Sequence, residues 1–209
     1  GKAKKVMLAS KNPIYITYFY LIKAKNNLLQ NKNKAAIEDY QFIFEYAKKH
    51  KLLTDVANSA TRLGELYLQD GLLEKAKYYY DAALETALIL NHDHTISNAR
   101  NQRGQYFLKI GDFENALIDF EFAKVMADRP EMKFYRNETN RSLAYTHAGL
   151  KNYDKAYRYM SQYATIQDTV YQEEAARIAS ETEARYQNQK KEAALQQKEK
   201  EQQQLYLIL

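Results

Sequence analysis

Two imidazoles and a carboxylate stand together at His92-Asp93-His94, a donor set suited to a divalent cation. A metal site needs a third, well-spaced ligand, and neighbouring positions of one connection do not supply it. The triplet is therefore expected to be a solvated loop, with His92 and His94 as the candidate ligands. His50 and His147 stand singly. No HExxH, no Gly-rich phosphate loop and no Ser/His/Asp set occurs, and the scattered carboxylates cannot be sorted into an acid and a base without knowing what they face. Neither catalysis nor a cofactor is expected. Recognition chemistry is better represented, by Asn58, Thr61, Glu65 and Gln69, then Asn98, Asn101, Gln105 and Lys109, then Glu138, Arg141 and Tyr145. Carboxamides both donate to and accept from a peptide backbone, and a guanidinium such as Arg141 meets a carboxylate with two parallel bonds.

These residues share a spacing, because the chain repeats. Leu63-Gly64-Glu65-Leu66-Tyr67, Gly71, Ala76, Tyr80, Ala83 and Ala87 align without gaps, at a shift of 40, with Arg103-Gly104-Gln105-Tyr106-Phe107, Gly111, Ala116, Phe120, Ala123 and Ala127. A further shift of 40 reaches Leu143-Ala144, Ala156, Met160 and Tyr163, and a shift back reaches Ala36, Tyr40, Ile43 and Ala47. Each copy has room for two helices. Gly64, Gly104 and Ala144 are small residues where helices cross, and an aromatic four residues beyond the second-helix Ala fills the space beside them. Gly71 and Gly111 suit a left-handed end to the first helix, with Asp112 and Asn152 as N-caps of the second. Lys151 replaces that glycine in the fourth copy, so its turn is expected to be strained or differently built. Helices are expected near 14–30, 33–49, 53–69, 72–90, 95–109, 113–127, 131–149 and 153–166, with Pro13 and Pro130 in the first turns they open.

The pattern of a small residue and an aromatic in one helix, then Ala, an aromatic and Ala in the next, resembles the tetratricopeptide repeat family. It implies an all-α solenoid of four helix pairs over residues 14–167, with copies near 17–56, 57–96, 97–136 and 137–167. The period of 40, against the family's usual 34 or so, requires longer helices or longer connections. The resemblance also implies a concave wall of stacked first helices that binds a protein or an extended peptide. It is on that wall that the Asn58, Asn98 and Glu138 sets are expected. Chaperone-binding relatives clamp a terminal carboxylate with Lys and Asn, whereas the equivalent sites here read Thr61, Glu65, Asn101 and Gln105.

From Asp168 the repeat stops. Thr169-Val170-Tyr171-Gln172 reads as a capping box opening a new helix, and no Gly or Pro follows it. Val170, Tyr171, Ala175, Ile178, Ala179 and Tyr186 are expected to cap the solenoid, and the Gln/Lys/Glu tract to about 204 to protrude as a polar helix. Heptads beginning at Ala175 and Ala179 run into Gln189, Gln196 and Lys200, a poor zipper, so a homodimer through this helix is one expectation among several. The chain ends Leu205-Tyr206-Leu207-Ile208-Leu209, an apolar cap or the first turn of a transmembrane helix. This juncture is similar to that of Bacteroidetes-type membrane signalling proteins. There a periplasmic sensor leads through a charged helix to one transmembrane segment and a histidine kinase or helix-turn-helix output module. The similarity implies a membrane-anchored two-component sensor domain on the periplasmic face of the inner membrane. A cytoplasmic peptide receptor and a plain scaffold are the alternatives.

Composition agrees with an all-helical reading. Only 6 Gly and 2 Pro interrupt 209 residues, and 19 Tyr with no Trp must supply the large flat packing groups. The net charge of +5 is dispersed apart from Lys2 to Lys5, so direct nucleic-acid binding is not expected. With no Cys, disulfides and thiolate metal sites are excluded.

Overall fold

The computed structural model describes residues 12–127 and 133–208. Among these residues, eight helices follow one another: α1 (Pro13–Leu29), α2 (Asn33–Lys49), α3 (Leu53–Gln69), α4 (Leu73–Leu90), α5 (Asp93–Ile110), α6 (Phe113–Ala127), α7 (Lys133–Gly149) and α8 (Tyr153–Ile208). The chain divides into two compact units, residues 1–163 and 164–209; α8 begins in the first and makes up the described part of the second. Pro130 and the expected helix start at 131 lie outside the described residues, as do Lys2 to Lys5.

The extra length of each copy goes into the helices. α1 to α3 have 17 residues each and α4 and α5 have 18, while the connections from α1 to α6 and between α7 and α8 shrink to two or three. What makes so short a turn possible is a left-handed residue. Asn31, Lys51, Gly71, Asn91 and Gly111 all have positive φ and recur at half the repeat period, and Lys151 takes the same register one copy later. After the first helix of each pair the turn closes by the same bond, in which the second residue's N–H reaches back five positions. Lys32 donates to the Asn27 carbonyl at 2.8 Å, Leu72 to Tyr67 at 2.8 Å, Asp112 to Phe107 at 3.0 Å and Asn152 to His147 at 2.8 Å. The fourth turn is therefore built like the others. Lys151 simply adopts φ 60°, at a cost of roughly 1–2 kcal/mol for a residue with a Cβ, because the flanking bonds leave no other conformation.

Starts of helices are less uniform. Asn12 caps α1 by accepting from the Ile14 N–H at 3.0 Å, with Pro13 in the first turn as expected. Asp112 caps α6 by accepting from the Asn115 N–H at 3.2 Å. α2, α3 and α4 begin instead behind Lys32, Leu52 and Leu72 with no side-chain cap.

Within the second and third pairs the small position of the first helix receives the aromatic of the second. A Cβ built on Gly64 would lie 2.7 Å from the Tyr80 ring, and one on Gly104 2.7 Å from Phe120. Tyr80 and Phe120 are fully buried beside Ala76 and Ala116. Between pairs, α3 meets α5 and α5 meets α7, so the first helices stack on one another to form the inner wall.

One further layer alternates. Asp39 and Asp119 are buried carboxylates in equivalent positions of the first and third pairs. Asp39 accepts from Lys23 Nζ at 2.5 Å and Asn27 Nδ2 at 2.8 Å. Asp119 accepts from Arg103 Nε at 2.7 Å, Arg103 Nη2 at 3.0 Å and Arg100 Nη1 at 2.9 Å. The second and fourth pairs place Leu63 with Tyr79 and Leu143 with Tyr159 at those positions. There the second-helix ring stacks on a first-helix ring instead, Tyr79 on Tyr67 and Tyr159 on His147, each at 5.5 Å.

The second helix of the fourth pair departs from expectation. Instead of ending near 166 and restarting at Thr169, α8 is continuous, since no Gly or Pro occurs to break it. Thr169 is an interior residue whose Oγ1 donates to the Thr165 carbonyl at 3.0 Å, the back-bond open to Thr inside a helix. Along the second unit Val170, Tyr171, Ile178 and Tyr186 are exposed, amid one-turn pairs such as Arg177 with Glu181 at 2.6 Å. Among the described residues, no helix is long and apolar enough to cross a membrane.

Candidate functional site

The inner wall carries a cleft of about 420 Å³ bounded by the first helices α1, α3 and α5 and floored by Tyr40 and Ile43 of α2. It lies where polar side chains of successive first helices recur at one repeat's spacing, Asn58 with Asn98 and Arg62 with Gln102. Asn58, Thr61 and Glu65 of α3 and Asn98 of α5 all line it, as the repeat register predicts. Of these, Thr61 is buried and its hydroxyl is committed to the Ala57 carbonyl at 2.9 Å, so it shapes the wall more than it can greet a ligand.

Sequence reasoning missed the other half of the lining. Leu21 and Lys25 of α1 sit one full repeat before Thr61 and Glu65, so carrying the register into the first copy finds them. Asp55 lies one turn before Asn58, and Arg62 and Gln102, one repeat apart, lie one turn beyond Asn58 and Asn98, so extending the same helix face finds them too. Thr17 Oγ1 donates to Asp55 Oδ2 at 2.6 Å, joining α1 to α3. Arg62 pairs with Glu65 at 2.7 Å. That ion pair faces the floor, where burial raises the Tyr40 phenol above its ordinary pKa, Arg62 works against the rise and Glu65 adds to it. Tyr40 stays a neutral hydrogen-bonding group.

Further along the wall the expected residues tie helices together. Gln105 Nε2 donates to Ser142 Oγ at 2.6 Å, joining α5 to α7. Lys109 Nζ donates to the Leu68 carbonyl at 3.0 Å, placing a cation at the carbonyl end of α3, where a helix favours one. Arg141 is held by Glu138 at 2.6 Å on its own helix, so its guanidinium is not an unoccupied carboxylate fork. Gln69 and Tyr145 are exposed, and Asn101 keeps its side-chain oxygen buried without a hydrogen-bond partner.

His92-Asp93-His94 is not a loop. Asp93 and His94 open α5, with His92 as the residue before it. The His92 and His94 rings lie 6.3 Å apart, and His92 Nδ1 is engaged by the Thr95 hydroxyl at 3.0 Å. Among the described residues no group of three His, Cys, Asp or Glu could hold a metal.

A buried imidazole lies at the fourth pair. His147 of α7 is almost wholly enclosed, neither ring nitrogen has a hydrogen-bond partner among the described residues, and the ring is parallel to Tyr159 of α8. Burial chiefly, and the Lys155 charge next, push its pKa below the ordinary 6.5, with Glu121 opposing. The unfolded chain therefore takes up this proton first. The stability that neutral His147 contributes is complete above pH 6.5 and is lost as pH falls from there through the folded-state value. Urea midpoints at pH 7.5 and pH 5.5 are expected to show a drop in the wild type that is smaller in His147→Phe, a ring that Phe107 already provides one copy earlier. Equal drops would exclude His147 as the source.

Helix pairs of this kind, stacked through a small-residue and aromatic register with a polar inner wall, define a tetratricopeptide-type superhelix. Residues 55–121 match the Tetratricopeptide repeat family. The fold is similar to that of BtubC (BKLC) from P. vanneervenii, with a TM-score of 0.72 at 18% identity, covering 81% of this chain and 72% of that one. It is also similar to the TPR domain of Arabidopsis FLU, with a TM-score of 0.50 at 20% identity, covering 54% of this chain and 95% of that one. No curated protein matches the sequence.

Proposed function

We propose that this chain is a non-catalytic protein-interaction domain whose inner cleft takes an extended peptide segment. The observation that carries the reading is the lining itself. Asn58, Asn98 and Gln102 present carboxamides from two adjacent helices, and an extended chain, whose own N–H and C=O groups are unpaired, needs such bifunctional partners. Lys25 and the Arg62–Glu65 pair add charges of both signs, so the favoured segment is polar and not of a single charge. Selection of a random peptide library on the chain tests this. Enriched peptides are expected to lose at least tenfold in affinity on Asn58→Ala/Asn98→Ala, a change that leaves the buried wall intact. Peptides indifferent to that substitution would overturn the assignment.

As an extension of this reading, we place the domain in a membrane-anchored signalling protein on the periplasmic face, with peptide binding relayed along α8. The support is the similarity of the Asp168–Leu209 juncture to that of membrane sensors. The gene beyond Leu209 decides it: about 15 further apolar residues, enough with Leu205–Leu209 to complete a span, followed by a kinase or helix-turn-helix module, is the expected finding. A polar continuation would remove the sensor role and leave the interaction domain.

A further inference from the structure

The second helices are separated where the first helices touch, and between α2 and α4 this opens an outer cleft of about 700 Å³, larger than the one on the inner wall. Its floor is apolar: Phe44 and Val56 are buried there, with Leu53 and Ala82 half-buried beside them. Tyr78 and Ile89 stand on its rim at 56% and 64% exposure. The charges on its two sides differ in sign. The α2 side contributes Lys48, whose ammonium sits 5.0 Å over the Phe44 ring, and Lys51. The α4 side contributes Glu74 and Glu85, neither of which forms an ion pair among the described residues. Lys77 does not alter that balance, since it is tied to Asp81 at 2.7 Å, and Asp81 also receives Arg103 at 3.1 Å.

What distinguishes this cleft from the inner one is a missing chemistry. Among the described residues no Asn or Gln lines it, and its one aliphatic hydroxyl, Thr86 Oγ1, is already given to the Ala82 carbonyl at 2.8 Å. An extended segment would find little there for its backbone groups. A helix satisfies its own backbone and needs only an apolar floor and charged edges. We infer that the outer cleft between α2 and α4 docks an amphipathic helix of a partner protein, with an apolar stripe on the Phe44–Val56 floor, acidic residues along the edge toward Lys48 and Lys51, and basic residues along the edge toward Glu74 and Glu85.

The surface continues one repeat on. Ile118, Phe122 and Val125 of α6 occupy the register of Tyr78, Ala82 and Glu85, at i, i+4 and i+7 on one helix face, and all three are exposed, as is Leu88 in the register of Lys48. Phe122 lies 4.4 Å beneath the Arg100 guanidinium, which fixes its ring at the surface. A helix longer than the first cleft therefore has further apolar ground. This docking surface is independent of the inner cleft, and the domain can hold an extended segment and a helix at the same time.

The test uses the whole chain and three synthetic helical peptides of about 18 residues, enough to match the length of α2 and α4. They share one Leu stripe and carry Glu on one edge and Lys on the other, Glu on both, or Lys on both. By fluorescence anisotropy the mixed peptide is expected to bind at least tenfold more tightly than either uniform one. Lys48→Glu/Lys51→Glu, both exposed positions, is expected to shift the preference to the all-Lys peptide, with circular dichroism confirming the fold. Asn58→Ala/Asn98→Ala is expected to leave the mixed peptide's affinity unchanged. The inference is overturned if the mixed peptide shows no saturable binding up to about 1 mM, the scale of the weakest specific association. It is equally overturned if all three peptides bind alike, or if the inner-wall substitution rather than the charge reversal abolishes binding, which would assign the peptide to the other cleft.

Discussion

Asp119→Ala is expected to cost about 3 kcal/mol of unfolding free energy, the lower end of what removal of one partner from a buried ion pair costs. The carboxylate is enclosed and receives three bonds from Arg100 and Arg103. Its removal strands two guanidinium groups that are each only about one-fifth exposed and that meet no other carboxylate of the third pair among the described residues. The lower end applies because both can still reach water, and Arg103 retains Asp81 at 3.1 Å. The loss should not depend on the charge as such. The second pair fills the same two positions with Leu63, which is buried, and Tyr79, which is half-buried, and needs no ions there. Arg103→Leu/Asp119→Tyr is therefore expected to recover part of the loss, since apolar replacement of ion partners is often neutral, with Arg100 the one partner left behind. Urea unfolding followed by helix signal measures both; a double variant less stable than Asp119→Ala would contradict the account.

Gly104→Ala is expected to destabilise by up to about 2 kcal/mol although Ala is the better helix former. The helix gains roughly 1 kcal/mol from the substitution, but the new Cβ would meet Phe120 Cε1 at 2.7 Å. Phe120 is fully buried and has no room to retreat, and overpacking of this kind costs about 1–3 kcal/mol. The fourth pair has Ala144 opposite Met160 where the second and third have glycine opposite an aromatic, and the first has Ala24 opposite Tyr40. A flexible thioether yields where a ring does not. In a double-mutant cycle, Gly104→Ala and Phe120→Met should couple favourably by about 1 kcal/mol, within the range for residues in contact. Strict additivity would show that Phe120 is not what the new methyl strikes.

The small-residue and aromatic register was legible because it is a local pattern repeated at a fixed interval, and every helix except α8 starts and ends close to where that pattern puts it, counting described ends. Of the two expectations for Lys151, the strained turn is the one found and the different construction is not, because glycine is only the easiest residue for a left-handed turn. The condition is the pair of backbone bonds around it, and a lysine accepts the strain when they are made. α8 was misread: Thr169 to Gln172 has the composition of a cap, yet nothing upstream breaks the helix that a cap would start. Of the inner cleft, Asn58, Thr61, Glu65 and Asn98 followed from the register. Arg141, Lys109 and Gln105 lie outside that cleft; Arg141 meets Glu138 by one-turn spacing on its own helix, while the Leu68 carbonyl and Ser142 reach Lys109 and Gln105 only through the packing of neighbouring helices. The buried ion pairs stayed hidden because Lys23 with Asp39 and Arg103 with Asp119 sit on different helices of a pair, and only the antiparallel fold of that pair brings their interval together.

That alternation of charged and apolar layers has a consequence for assembly of the stack. A solenoid of near-identical units can pair a helix with the wrong neighbour, within one chain or between two, and the small-residue register alone does not forbid it. Here, sliding one strand of the stack by a single repeat would seat Asp119 against Leu63 or Leu143, and Asp39 against Leu63. Each mismatch strands a carboxylate in an apolar socket at a cost of about 3 kcal/mol or more. A slide of two repeats restores like to like, but it needs half the stack to come apart first. The two carboxylates thus act as a vernier, marking which helix belongs with which in a chain whose packing is otherwise the same from one repeat to the next.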